Sequence, residues 1–182
     1  TYDISIESVR KCILDPKNNY LPKNIEKQNT ILGKLILSSY NTSNDIISCI
    51  NPDLLIRVCS NNQAVFLAVL QEKPLFIAKN LDKINPEFAN DYITLDYFFD
   101  ELKKSNIPQN KKINAILSFY TKLDRDFRLR DKYVINKIKV NSAKILLPNK
   151  HAYDLVLTAI KLDKKKKLNK FNILENDDLI NC

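Results

Sequence analysis

Glycine is almost absent from this chain: Gly33 is the only one among 182 residues. Tight β-hairpins and glycine-type bulges need backbone at positive φ, which glycine adopts without steric cost. Glycine-rich phosphate-binding loops need the same residue because the backbone must approach the ligand closely. A helical chain tolerates this shortage best, so we predict an all-α fold.

The strongest helical pattern runs from Ile84 to Lys104. Asn85 suits an N-cap, Pro86 suits the first helical position, and an acidic residue follows near the positive end of the helix dipole. Large apolar residues then recur at helical spacing, with acidic residues mostly on the other side. We predict one amphipathic helix of about five turns. Its buried face is predicted to hold Phe88, Tyr92, Leu95, Phe99 and Leu102.

Helical patterns cover most of the remaining chain, from a first helix at Ile4 to Leu14 onwards. The apolar run Ala64 to Leu70 is predicted as a buried helix because no partner strand is evident. Gly33 lies inside a predicted helix, where it indicates either close approach of a neighbour or a tolerated glycine. We predict a single domain of stacked helical hairpins, HEAT-like or an irregular α-solenoid or bundle, over residues 1–163. A charged tail is predicted over residues 164–182.

The four cysteines, Cys12, Cys49, Cys59 and Cys182, form no CxxC pair, so we expect buried or idle thiols. The sequence shows no signal-like apolar start, and its longest unbroken apolar run is too short to cross a bilayer. The expected location is therefore cytoplasmic, nuclear or both.

Motifs for catalysis are missing from the sequence. Neither nucleotide-binding loops nor HExxH nor GxSxG occurs, and the single histidine, His151, sits at a predicted helix start where an exposed or capping imidazole is expected. The acidic residues have the spacing of solvated helix faces. We expect no enzyme activity, no metal site and no cofactor. The acids considered as metal ligands are Asp91, Asp96, Asp100, Asp124 and Asp126.

Basic residues are concentrated between positions 103 and 170, with 19 Lys and Arg against 5 Asp and Glu. Part of this region interleaves cations with Phe127 and Tyr133, a pattern that suits phosphate contacts beside stacking surfaces. A plain solvated face, an acidic protein partner and direct RNA binding all remain open. The candidate partner-binding residues are Arg125, Arg128, Arg130, Lys132, Lys137 and Lys139.

Several motifs occur in an order that is similar to a known family. They are Asn85-Pro86-Glu87-Phe88, Asp91-Tyr92-Ile93 and Gln109-Asn110, with Ile4 to Cys12, Pro52-Asp53-Leu54 and Asn61-Asn62 to Leu70 upstream and Ala152 to Asp163 downstream. In these residues the chain resembles the C-terminal domain of subunit 11 of the CCR-NOT deadenylase complex. Between Leu70 and Ile84 it is shorter than the family pattern by roughly a helical hairpin.

The resemblance implies a non-catalytic scaffold or adaptor subunit. In that family the domain joins companion subunit ten and the large NOT scaffold, in a complex that shortens mRNA poly(A) tails. Its helices would present a surface to regulatory proteins while separate subunits cleave. The alternative is a helical RNA-binding module in which Phe127 or Tyr133 stacks a base. A metal-dependent nuclease is the third reading.

Overall fold

The computed structural model of the chain describes residues 23–38, 43–130 and 132–168. Within these ranges the chain forms α-helices, one short 3₁₀-helix and no strand. The all-α prediction is therefore confirmed for the part of the chain that the structure describes. The predicted first helix, Cys12, Cys182 and positions 169–182 of the tail lie outside the described residues.

The helices follow one another with short connections. In chain order they are α1 (Ile25–Ser38), α2 (Ser43–Cys49), α3 (Pro52–Asn61), α4 (Gln63–Glu72), α5 (Pro74–Asn80), the 3₁₀-helix (Leu81–Lys83), α6 (Pro86–Ala89), α7 (Tyr92–Lys104), α8 (Gln109–Lys122), α9 (Arg125–Leu129), α10 (Lys132–Leu146) and α11 (Lys150–Lys164).

Asparagine side chains start several of these helices. Asn51 Oδ1 accepts a hydrogen bond from the Asp53 amide at 2.9 Å, and Asn85 Oδ1 accepts one from the Glu87 amide at 3.1 Å. Asn62, the single residue between α3 and α4, accepts bonds from two amides at the start of α4. These caps satisfy helix amides that have no partner within the helix, so the short connections need no glycine.

The predicted helix from Ile84 to Lys104 is wrong in one respect, because it is two helices, α6 and α7. The break lies at Asn90 and Asp91, where the Asp91 carboxylate accepts a hydrogen bond from the Ile93 amide at 2.7 Å and caps α7. Asn90 Oδ1 accepts a bond from the Asp124 amide at 2.7 Å, which fixes the break against the start of α9. A local capping side chain and a distant backbone group therefore stabilise a turn where the apolar spacing predicts continuity.

The buried face of α7 is wider than its apolar spacing indicates. Leu95, Phe99 and Leu102 are buried as predicted, but Phe98 is buried too, and Tyr92 remains 40% exposed. The Phe98 ring lies parallel to the Phe119 ring of α8, with a centroid distance of 3.9 Å. Because α7 packs against α4, α5 and α10, more than one stripe of its surface is covered.

The helices assemble into one all-α bundle. At one end α1 packs on α2, α3 and α4, and α4 then packs on α7. The pair formed by α5 and α8 lies in the middle, and α8 leads on to α10 and α11, which pack on each other. The apolar run at Ala64 to Leu70 forms the buried helix α4, as predicted. After α11, Leu168 still packs against the core.

Gly33 is buried where α1 meets α3 and α4, so a close neighbour is present. A Cβ atom at this position would lie 3.4 Å from Val65 Cγ2 and 4.0 Å from Val58 Cγ1. Both distances are van der Waals contacts, and Gly33 does not have a positive φ. The site therefore accommodates a methyl group without strain.

We expect Gly33→Ala to raise the free energy of unfolding by about 0.5–1 kcal/mol, because alanine reduces the entropy of the unfolded chain and favours the helix. Chemical denaturation followed by circular dichroism measures this. Ala143→Gly, inside α10, is the matched control and should lower the free energy of unfolding by a similar amount. A destabilised Gly33→Ala variant would mean that the contact with Val65 is tighter than the structure shows.

Candidate functional site

The six basic residues predicted to bind a partner lie on α9, at its end and on the first half of α10. Arg125, Arg130 and Lys132 are exposed, and Lys137 and Lys139 are half-buried. Five of the six are therefore accessible on one continuous part of the chain. We call these five residues the basic surface.

Arg128 does not belong to this surface, which corrects the sequence prediction. Its side chain is only 7% exposed. Its Nε donates a hydrogen bond to Asp163 Oδ2 at 2.6 Å, and its Nη2 donates one to Asp163 Oδ1 at 2.9 Å. Its Nη1 donates to the carbonyl oxygens of Thr121 and Leu123. The guanidinium nitrogens thus already donate to groups inside the protein.

Asp163 is the centre of a buried polar network that also includes Tyr120, Arg125 and Arg128. Asp163 is 1% exposed, and the Tyr120 hydroxyl donates to its Oδ2 at 2.6 Å. Arg125 Nη2 donates to the Asp163 carbonyl oxygen at 3.3 Å. These bonds join the C-terminal ends of α8 and α11 to α9. We call this set the Asp163 network.

The network shifts the pKa values of Asp163, Tyr120 and Arg128 in the direction that keeps them paired. Burial by itself would raise the pKa of Asp163, but the hydrogen bonds from Arg128 and Tyr120 outweigh burial and hold it below its usual range. Burial, assisted by the hydrogen bond to Asp163, raises the pKa of Tyr120 far above its usual value. Burial would lower the pKa of Arg128, but Asp163 raises it overall. Asp163 and Arg128 are therefore charged and Tyr120 is neutral near pH 7.

The sequence contained a signal for Asp163 that the prediction did not use. In α11 the buried residues Val156 and Ile160 are followed by Asp163 at the spacing of the same helix face. An acid at a core position requires a buried partner. Nothing local distinguishes Arg128 from Arg125 or Arg130, so the identity of that partner was not predictable.

Two cations of the basic surface are partly held by neighbouring groups. Lys137 Nζ donates to Asp96 Oδ1 of α7, and it lies 5.4 Å from the centroid of the Tyr133 ring. The hydrogen bond to Asp96 raises the pKa of Lys137. Arg125 Nε lies 3.6 Å from Asp163 Oδ1.

Aromatic residues adjoin the basic surface. The Tyr92 ring centroid is 5.6 Å from that of Phe127 and 5.6 Å from that of Tyr133. Phe127 is buried, so the predicted alternative in which it stacks a nucleobase does not fit its position. Tyr133 is 51% exposed and offers one ring to a ligand.

An open cavity of about 430 Å³ lies beside the Asp163 network. It is lined by Arg125, Arg128, Asp163, Lys166 and Leu168. Its lining carries more positive than negative charge, and the carboxylate oxygens of Asp163 already accept hydrogen bonds from within the protein. The residues that line the cavity therefore carry a net positive charge next to the basic surface.

Other residues considered for chemistry are dispersed. Among the described residues, no three His, Cys, Asp or Glu side chains come together as a metal site would require. His151 is exposed in the first turn of α11, where Asn149 provides the cap. Burial raises the pKa of the Cys59 thiol to about 12, so Cys59 is an inert core residue. Within the described ranges, no helix combines the length and apolar character needed to cross a membrane.

Comparison with known proteins gives one partial similarity. No family model and no solved structure matches the chain. It is 26% identical over 106 residues to the DNA-directed RNA polymerase subunit alpha of Helicobacter hepaticus, a match that covers 55% of this chain and 31% of that protein. The chain therefore spans about a third of its relative, and the similarity does not show a family.

We expect Asp163→Asn to lower the free energy of unfolding by about 3–5 kcal/mol, because the buried Arg128 charge loses its partner. The double variant Arg128→Met, Asp163→Leu should recover most of that loss, since it removes both buried charges. Urea unfolding of wild type, Arg128→Met, Asp163→Leu and the double variant measures the coupling. Strictly additive losses would contradict a coupled pair.

The Asp163 contribution should also depend on pH. Because the pKa of Asp163 is lower in the folded chain than its unfolded value of about 3.9, the stabilisation is fully present above that value. It is lost as pH falls through the folded-state pKa. The difference in free energy of unfolding between wild type and Asp163→Asn should therefore stay constant from pH 7 to about pH 5 and shrink as the pH falls below about 4. Asp100→Asn, at an exposed position, serves as the control and should change stability little.

Proposed function

We propose that this chain is a non-catalytic adaptor that binds partner proteins through the basic surface of α9 and α10. The observation that carries this proposal is the accumulation of accessible cations on two helices held in place by the Asp163 network. The segment from Lys132 to Leu146 contains four lysines and no acidic residue. A segment with this excess of positive charge attracts acidic partners and speeds their association.

A more specific proposal is that the adaptor is a divergent CCR-NOT subunit 11 domain. It rests on the order of the motifs that carry the resemblance, several of which start helices. Asn85 caps α6, Pro52 begins α3 and Gln109 begins α8. On this proposal the chain acts in the cytoplasm, the nucleus or both, together with companion subunit ten and the large NOT scaffold.

Binding of single-stranded RNA is a second candidate, and a specific observation favours it. The Tyr133 ring is half exposed, its centroid lies 5.6 Å from that of Tyr92 and 5.4 Å from Lys137 Nζ, and Lys132 is the adjacent residue in the chain. A base stacked on Tyr133 would place its phosphates near these lysines. Steep salt dependence of binding would distinguish this mode from binding to an apolar protein surface.

The adaptor proposal predicts that charge reversal on the basic surface weakens partner capture. The variant Arg130→Glu, Lys132→Glu, Lys139→Glu should retain less of the NOT scaffold from a lysate of source cells than wild type. A control variant reverses three exposed lysines on other helices: Lys34→Glu, Lys79→Glu, Lys111→Glu. Circular dichroism verifies that both variants are folded.

Nuclease treatment of the lysate separates the candidates. Recovery of the NOT scaffold and its deadenylase subunits that resists nuclease supports the adaptor. Recovery that requires RNA supports the second candidate. Equal capture by wild type, the surface variant and the control variant would remove the basic surface from the proposal.

A further inference from the structure

Helix α10 has two different apolar faces. One is buried in the bundle and includes Val134, Ile138 and Leu146. The other consists of Tyr133 and Val140 and is continued by Leu147, the residue directly after the helix; the three are 51%, 52% and 47% exposed. We call these three residues the α10 stripe. Large apolar side chains that are half exposed in a row indicate a surface prepared for a partner.

The α10 stripe has the spacing of a coiled-coil seam. Its residues are separated by seven positions, and Leu147 continues the helical hydrogen bonding through a bond from its amide to the Ala143 carbonyl oxygen. Tyr133, Val140 and Leu147 therefore correspond to the a positions of a heptad pattern. Asn136 and Ala143, three positions after Tyr133 and Val140, correspond to the d positions. Over 14 residues such a seam extends for about 21 Å.

Lysines border the α10 stripe on both sides. On a helix of 100° per residue, Lys132 and Lys139 lie along one edge and Lys137 and Lys144 along the other. These are the g and e positions, which select the partner of a coiled coil by charge. Lys137 is paired with Asp96, whereas Lys132, Lys139 and Lys144 make no ion pair within the described ranges.

We infer that the α10 stripe binds an acidic amphipathic helix of a partner protein. The apolar side of that helix packs along Tyr133, Val140 and Leu147, and its Asp or Glu residues pair with the bordering lysines. Asn136 lies within the seam, where a polar residue fixes the register of the two helices. This inference deepens the proposed adaptor function, and rests on it, by stating the chemistry of the partner.

Charge and shape distinguish this occupant from others. A second copy of α10 would bring lysines against lysines, which opposes self-association. Nucleic acid would satisfy the lysines but not Val140 and Leu147, which have no polar atom for a phosphate or a base edge. An acidic helix satisfies both the apolar stripe and its basic borders.

Two designed 21-residue peptides test the inference with the full chain. Both carry leucine at a and d; the acidic probe carries glutamate at e and g, and the basic probe carries lysine. Repulsion between like charges opposes self-association of each probe. In fluorescence anisotropy at low salt, the acidic probe should bind at least about 10-fold more tightly than the basic probe.

Variants of the chain locate the binding site. Lys132→Glu, Lys139→Glu, Lys144→Glu should reverse the preference, so that the basic probe binds more tightly. Val140→Asp should weaken the acidic probe by about 10-fold without changing the thermal melt, because Val140 is half exposed. Ile93→Asp, at a 59% exposed apolar position outside the stripe, is the matched control and should leave the affinity unchanged.

Four results would overturn the inference. Equal affinity for both probes would exclude recognition by charge, and self-association of the chain that Val140→Asp abolishes would identify a second copy as the occupant. Stripe-dependent binding of single-stranded RNA without binding of the acidic probe would identify nucleic acid. Binding of the acidic probe only after Glu175→Gln, Asp177→Asn and Asp178→Asn would identify the chain's own acidic segment.

The same measurements separate this inference from the adaptor proposal. If the acidic probe does not bind but the NOT scaffold is captured by wild type, the adaptor proposal stands and the inference fails. If the acidic probe binds through the α10 stripe but no CCR-NOT subunit is captured, the helix-binding site stands and the CCR-NOT assignment fails.

Discussion

The buried ion pair between Arg128 and Asp163 determines how the C-terminal helices are arranged. A carboxylate and a guanidinium removed from water must satisfy each other in a fixed geometry, and here two parallel hydrogen bonds and the Tyr120 hydroxyl do so. Because its members lie on α8, α9 and α11, the Asp163 network fixes α9 between two long helices. Helix α10 starts directly after α9, so the position of the basic surface follows from this network.

Two further contacts fix the helices that pack next to α10. Phe98 and Phe119 stack in the interior and join α7 to α8, while Asn90 holds the start of α9 against the turn between α6 and α7. The stacked rings bury apolar surface, and the directional hydrogen bond of Asn90 fixes the orientation of the start of α9. The basic surface is thus carried by helices fixed from two sides, which would let a partner bind with little rearrangement.

Helix α10 combines stability and recognition in one segment. Val134, Ile138 and Leu146 belong to the core, whereas Tyr133, Val140 and Leu147 form the α10 stripe, which is bordered by Lys132, Lys137, Lys139 and Lys144. On our inference the lysines would oppose self-association and favour an acidic partner, so the same charges would provide both attraction and discrimination. The RNA and protein candidates differ mainly in whether the bound molecule packs against the apolar residues of the α10 stripe.

The sequence by itself determined the helical class and some helix starts. Scarce glycine, Asn-Pro-acid caps and apolar spacing act within a few residues, and Asn85 caps a helix as predicted. Tertiary structure decided the break at Asp91, which depends on Asn90 meeting Asp124, and the burial of Arg128 among neighbouring arginines. Arg128 and Asp163 are 35 positions apart, and no local pattern reports such a pairing. Helix propensity and capping depend on residues that are close in sequence. A charge, in contrast, can be buried only where the fold brings an oppositely charged residue to it.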